Sequence, residues 1–218
     1  MSWDEVMPLL WPATRETLYM TGVATLFTAV LGLLLGVLLV ITERGGLLPA
    51  PPVNGVLGVV VNIGRSLPFL ILMVAIIPFT RAVVGTSIGN AAAIVPLTVG
   101  AIPFYARLVE IALREVDPGV LAAADAMGAT RREIVGKVLL REARPGLVSG
   151  LTVTVIALIG YTAMAGTVGG GGLGNLAVVY GYERFETKVM VSTVALLVVI
   201  VLIIQAAGDL VARRLTHK

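Results

Sequence analysis

The sequence predicts an all-α membrane protein. Five transmembrane helices, an N-terminus outside, a C-terminus inside and a cytoplasmic helix-turn-helix loop are expected within a single domain spanning residues 1–218. Three observations carry this expectation. Of the 218 residues 57% are hydrophobic and 13% charged, with a mean hydropathy of +0.98, whereas soluble domains carry about 25% charged residues. Apolar runs long enough to cross a bilayer core of about 30 Å recur along the chain. The basic residues fall unequally on the two sides that those runs define.

Taken in order, Thr17 to Ile41 is the first run, and Val56 to Ile77, interrupted by Asn62, Arg65 and Pro68, is the second. Gly89 to about Val109 is the third, broken by Pro96 and Pro103, and Leu147 to Thr167 and Val189 to Val211 are the fourth and fifth. Five crossings put the termini on opposite sides. Arg44, Arg65, Arg107, Arg114, Arg131, Arg132, Lys137, Arg141, Arg144, Arg213, Arg214 and Lys218 share one side; Arg15, Arg81, Arg184 and Lys188 share the other. Of the 16 basic residues the split is therefore twelve to four, and the positive-inside rule assigns the larger group to the cytoplasm. The same asymmetry accounts for the net charge of +3 as topological rather than as a nucleic-acid footprint. Asp4 and Glu5 precede the first basic residue, Arg15, so no cleavable signal is expected and the first run stays as an anchor.

Several chemistries are excluded. The chain has no cysteine, which removes disulfides, thiolate nucleophiles and cysteine metal sites, and its single histidine, His217, sits in the terminal tail. Gly136 and Lys137 mimic the end of a phosphate-binding loop, but Arg131 stands where its first glycine belongs and Val138 where Ser or Thr should follow. No metalloprotease, nucleophile-elbow or paired-carboxylate pattern is visible. The chain is expected to bind no metal and no cofactor of its own.

Polar residues inside the runs need partners or a wet cavity. Arg107 and Glu110 fall at i,i+3, where they can pair. Arg65 has no acidic neighbour and lies roughly 13 Å into the second run; it fits a polar pathway, because Ser66 and Pro68 loosen the helix there, or a plain structural role. Gly32 and Gly36 form a GxxxG pair that permits close helix approach or that falls four apart by chance.

The inner loop, residues 114–146, is the one sizeable polar segment between runs. Asp117 before Pro118 reads as a helix cap, Gly128 suits a position just past a helix end, and Thr130 with Glu133 forms a capping box for a second helix reaching about Glu142. Ile134, Val135, Val138 and Leu139 give that second helix an apolar face. The segment suits a connector under its own bundle or a docking element for a cytoplasmic partner. A DNA-reading helix-turn-helix would be tethered too closely to the membrane. Gly169, Gly171 and Gly174 have the GxGxxG spacing of a dinucleotide cradle, but neither a preceding strand nor a following acidic ribose ligand accompanies them. They suit tight turns or a re-entrant element after the fourth run, or a plain connector.

AAADAMGATRREIVGKVLLREARPGL resembles the inner-loop signature of binding-protein-dependent ABC importer permeases, EAAxxxG, about nine residues, then IxLP. Ala123 and Ala124 match its alanines and Gly128 its glycine; Ala122 stands where the family commonly has Glu, and Arg141 replaces the proline after Leu140. NIGRSLPFLILMVAIIPFTRAVVGTSIG, AAIVPLTVGAIPFYARLVE and GYTAMAGTVGGGGLGNLAVVYGY resemble the permeases of methionine importers over nearly the whole chain.

The resemblance implies the type I ABC importer permease fold in a bacterial inner or plasma membrane. It implies a homodimer with the pathway on its two-fold axis, two copies of a separate cytoplasmic ATPase that carry ATP and Mg, and an external substrate-binding protein. The helix formed by Val120, Leu121, Ala122, Ala123, Ala124, Asp125, Ala126, Met127, Gly128 and Ala129 would couple to the ATPase. Ser66, Pro68 and Phe69 with Tyr161, Thr162 and Met164 are the pathway or gate candidates beside Arg65, and the glycine stretch would lie near the substrate's entrance. The competing readings are a permease for another amino acid or small organic solute, an ATP-independent secondary transporter, and a membrane scaffold.

Overall fold

The computed structural model describes residues 3–216; His217 and Lys218, assigned above to the inner tail, lie outside the described residues. All regular structure among the described residues is helical. Helix α1, Trp3–Ile41, begins well before the expected Thr17 and runs through Pro8 and Pro12. At 39 residues it is about 58 Å long, nearly twice the thickness of a bilayer core.

The second apolar run does not form one straight helix. Helix α2, Pro51–Ser66, is followed by α3, Phe69–Ala75, and the two axes differ by 107°. Pro68 supplies no N–H and disfavours helical backbone at the residue before it; Leu67 is accordingly extended, with φ −80 and ψ 125. Helix α4, Ile77–Val84, ends on Gly85 in the left-handed conformation.

Helix α5, Asn90–Arg114, contains Pro96 and Pro103 and buries Leu97, Ala101, Tyr105, Val109 and Leu113. The polar loop then gives α6, Pro118–Ala126, and α7, Arg131–Glu133. A π-helical stretch, Ile134–Leu139, leads into α8, Leu140–Glu142. Helix α9, Arg144–Gly166, follows after only a slight turn at Ala143, φ −74 and ψ −6. With Arg141 in place of a helix-breaking proline, nothing sharply ends the second loop helix. The glycine-rich stretch leads into α10, Gly172–Leu176, a second π-helical stretch, Ala177–Glu183, and finally α11, Thr187–Leu215. Among the described residues four helices, α1, α5, α9 and α11, are long and apolar enough to cross a membrane, or up to five if the bent pair α2 and α3 is one span.

Helix α5 is the centre of the bundle, with α1 packed along it and α9 on another side, while α11 packs on α9. Between apolar helices in a bilayer little is gained by leaving water, so close packing carries the association. Gly36 shows this directly: a Cβ there would lie 2.6 Å from the carbonyl oxygen of Ala106 and from Val109. The GxxxG pair is thus the seam between α1 and α5. The outer surfaces of α1 and α11 stay apolar and exposed, as with Leu26, Leu34, Val194 and Leu202, which suits contact with lipid.

Candidate functional site

At the polar-loop end, each boundary of α6 has a local cause. Asp117 caps it, its carboxylate accepting from Gly119 N at 2.7 Å, and Pro118 sits at the first turn where no N–H is required. Gly128, with φ +81, turns the chain out, and Gly128 N and Ala129 N donate to Asp125 O and Ala124 O at 2.9 and 3.1 Å. The helix therefore stops at Ala126, short of the Ala129 limit expected for the coupling helix, and Met127 to Ala129 form its exit turn.

Leu121 and Ala124 face the bundle, Leu121 packing with the cluster of Leu113, Val116 and Leu139. Val120, Ala122, Ala123, Asp125, Ala126, Met127 and Gly128 are exposed, Met127 by 82%. What remains is a small, mostly alanine-lined ridge carrying one carboxylate, Asp125, with Met127 projecting at its exit, fixed on a packed base.

The base is reinforced by charge. The carboxylate of Glu110, with a side chain only 5% exposed, pairs with Arg107 at 2.7 Å and Arg114 at 2.8 Å, and Arg114 also reaches Glu43 at 2.7 Å. Two cations around one buried carboxylate supply the pairing that burial demands. The i,i+3 pair of Arg107 and Glu110 was legible; its extension through Arg114 to the end of α1 was not. Thr130 and Glu133 form the expected capping box, and Lys137 lies 2.9 Å from the same carboxylate. Hydrogen bonds from Lys137 and then Thr130 pull the Glu133 carboxyl from 4.5 down to about 2. Arg131 Nη1 donates to Leu47 O, fastening this helix to the connector after α1. A groove of about 460 Å³ runs between α6 and that connector, bordered by Glu43, Leu47, Arg114, Ala122, Asp125 and Arg131.

Away from the polar loop, against the middle of α5, the structure brings two of the gate candidates together. Phe69 on α3 and Tyr161 on α9 stack with ring centroids 4.6 Å apart and planes 7° from parallel, an arrangement that contributes about 0.5–1.5 kcal/mol beyond area burial. Thr162 is buried and bonds back to Ile159 O at 2.7 Å, and Met164 is 43% exposed. Arg65, Ser66 and Pro68 are exposed at the break between α2 and α3. Ser66 donates to Asn62 O at 2.8 Å, and Arg65 has no ion-pair partner among the described residues. A cavity of about 120 Å³ lies between α3, α4, α5 and the glycine stretch, with Met73, Thr80, Pro96, Ala165 and Gly170 in its walls.

The glycine stretch is no nucleotide cradle, because its N–H groups are already committed. Gly171 N donates to Asn90 Oδ1, Gly172 N to Glu16 Oε2 and Leu173 N to Thr17 Oγ1. Sequence reasoning missed Glu16, Thr17 and Asn90. Among the described residues no cluster of three or more His, Asp or Glu side chains is placed to hold a metal ion.

A family model described as "Binding-protein-dependent transport system inner membrane component" matches residues 29–217. The chain belongs to this permease family. This binding-protein-dependent permease is 55% identical over 210 residues to the probable D-methionine transport system permease protein MetI of Vibrio cholerae, covering 96% of this chain and 93% of that one. It is 54% identical over 202 residues to the methionine import system permease protein MetP of Bacillus subtilis, covering 93% and 91%. It superposes on a chain of the MetNI methionine ABC transporter in an inward-facing conformation with a TM-score of 0.96 at 51% identity, over 100% of both chains. As a permease of this family it resides in the bacterial inner membrane, and ATP hydrolysis is carried by a separate ATPase subunit.

Proposed function

We propose that the chain is the permease subunit of a methionine importer, forming the translocation pathway as a homodimer. Two copies of a cytoplasmic ATPase grip its loops, and an external binding protein delivers the amino acid to the opposite face. The observation that carries this reading is α6: a capped helix whose exposed face is mostly small and apolar with one carboxylate, Asp125, held from beneath by Leu121 and Ala124. Such a ridge fits a groove in a partner and transmits a push without bending. The identity of 55% to a relative named for D-methionine transport supports the substrate class.

In this reading the bent pair α2 and α3 is the second of five spans, with Trp3 outside and Thr216 inside. ATP binding brings the ATPases together. The α6 helices follow as rigid bodies, and the bundle swings from inward-facing to outward-facing. Tyr161 and Met164 line the path near the axis with Phe69 and Thr162 packed behind them, Met164 acting as a deformable constriction because a thioether side chain repacks readily. Arg65, Ser66 and Pro68 shape the polar entrance at the break between α2 and α3.

The substrate assignment is tested by competing uptake of labelled methionine, in vesicles containing the permease, its ATPase and its binding protein, with a panel of unlabelled amino acids. Methionine is expected to compete most strongly. Stronger competition by a different amino acid reassigns the substrate while leaving the importer mechanism in place.

A further inference from the structure

The glycine stretch is gripped from two directions. Three successive backbone groups, Gly171 N, Gly172 N and Leu173 N, donate to Asn90 Oδ1 at 2.8 Å, Glu16 Oε2 at 2.7 Å and Thr17 Oγ1 at 2.9 Å, across sequence separations of 81, 156 and 156 residues. N–H groups at the start of a helix lack intrahelical partners, and caps are ordinarily local. Here the cap of α10 comes from α1 and α5. Gly89 N adds a fourth bond, to Gly169 O at 2.9 Å.

The other face of the stretch is welded to the end of α9 by backbone contact. A Cβ on Gly174 would lie 2.5 Å from Ala163 O, and one on Gly166 would lie 2.9 Å from the carbonyl carbon of Gly174. On the gripped face, a Cβ on Gly171 would lie 2.5 Å from Asn90 Oδ1 and one on Gly172 would lie 2.5 Å from Thr17 Oγ1. Glycine is required at Gly166 and Gly174 because α9 and the stretch meet there through their backbones, and at Gly171 and Gly172 because the accepting side-chain oxygens occupy the space of a Cβ; Gly172 also needs its φ of +88.

Resting on the importer reading above, we infer that Glu16 and Asn90 are the positioning residues of the outer gate. Their side-chain oxygens lock the glycine stretch, and with it the Thr162 to Met164 end of α9, to α1 and α5. The outer end of α9 cannot shift against α1 without breaking the bonds from Gly172 N and Leu173 N, or against α5 without breaking the bond from Gly171 N, so α1, α5 and the stretch move as one block. Glu16 is the charged acceptor of the set, and charge-assisted bonds are the strong ones. A cavity of about 400 Å³ bordered by Trp11, Arg15, Glu16, Tyr19 and Asn90 opens directly over the lock, leaving it accessible to solvent.

The test compares Glu16→Ala, which removes the acceptor, with Glu16→Gln, which keeps one, in vesicles containing the ATPase and binding protein. The readout is the ratio of ATP hydrolysed to methionine imported, which a merely structural role would leave unchanged in protein that assembles. The expected result is a rise of about tenfold for Glu16→Ala, the factor set by loss of one charged hydrogen bond, with Glu16→Gln, which keeps a neutral acceptor of about half the strength, in between at about threefold. An unchanged ratio in Glu16→Ala overturns the inference, and so does a Glu16→Gln defect as large as that of Glu16→Ala. Should Glu16→Ala not assemble, Asn90→Ala and Asn90→Asp give the same comparison, and equal ratios in that pair overturn it. Amide exchange over residues 171–173 reads the lock without transport: exchange is expected to be faster in Glu16→Ala than in Glu16→Gln, and equal rates in these two variants contradict the lock. An unsubstituted protein that imports no methionine contradicts the importer reading instead.

Discussion

Arg114 Nη2 lies 2.7 Å from Glu43 Oε2 and 2.8 Å from Glu110 Oε1, joining the last turn of α5 to the turn just after α1 along the groove that Ala122 and Asp125 of α6 also line. Removing Arg114 leaves the buried Glu110 carboxylate with Arg107 alone. Arg114→Ala is expected to destabilise the detergent-solubilised protein by about 1–3 kcal/mol. Glu43→Gln, which breaks only the more exposed arm, should cost about 1 kcal/mol or less. Thermal unfolding of the two variants checks the order, and a larger loss in Glu43→Gln would contradict the central place of Glu110.

Gly128 needs its φ of +81, and no atom lies within 4 Å of where a Cβ would stand. Gly128→Val therefore acts through backbone conformation rather than collision, at about 1–2 kcal/mol. It should reorient the exit of α6 and abolish co-purification of the ATPase while the permease still elutes as a folded dimer. Gly128→Asn, which tolerates the left-handed region, should retain the ATPase. A pull-down of the ATPase with each variant distinguishes them, and normal retention by Gly128→Val would count against docking at α6.

Glu133 should stay ionised far below the ordinary glutamate range. Its carboxyl is lowered in the folded protein, so the stabilisation it supplies is complete above its ordinary value of 4.5 and is lost as pH falls toward about 2. A carbon-13 titration of Glu133 should show a midpoint near 2 that returns toward 4.5 in Lys137→Met. A midpoint near 4.5 in the unsubstituted protein would show that the capping box does not hold the carboxylate.

The absence of native cysteine makes single-cysteine labelling a clean report on orientation. Asp4→Cys should react with an impermeant maleimide added to intact spheroplasts, and Thr216→Cys should react only after lysis. Reaction of both from the same side would remove one of the five proposed crossings, and the bent pair α2 and α3 would then be a re-entrant element.

What could be read in the sequence follows the range of the interaction involved. Caps are local, so Asp117, Gly128 and the Thr130 and Glu133 box were legible from spacing alone. The apolar runs located α5, α9 and α11 to within a few residues, because composition reports how much helix can sit in lipid. It does not report direction: Pro68 read as an interruption of one run, whereas it turns the helix axis by 107°. Gly32 and Gly36 were ambiguous until Ala106 and Val109 were found against them. The Glu16, Thr17 and Asn90 lock was invisible, since its partners are 81 and 156 residues away. Its only trace was a polar pair, Glu16 and Thr17, at the mouth of an apolar run. Nor did the sequence mark the π-helical stretch Ile134–Leu139, which reads as ordinary helix.

The most direct test of the account is uptake of labelled methionine into proteoliposomes containing this permease and its ATPase, with the binding protein on the outer side and ATP within. The account predicts accumulation that requires all three proteins and hydrolysable ATP, and that disappears with Gly128→Val. Methionine flux of equal rate through the permease alone, without ATP, would contradict it.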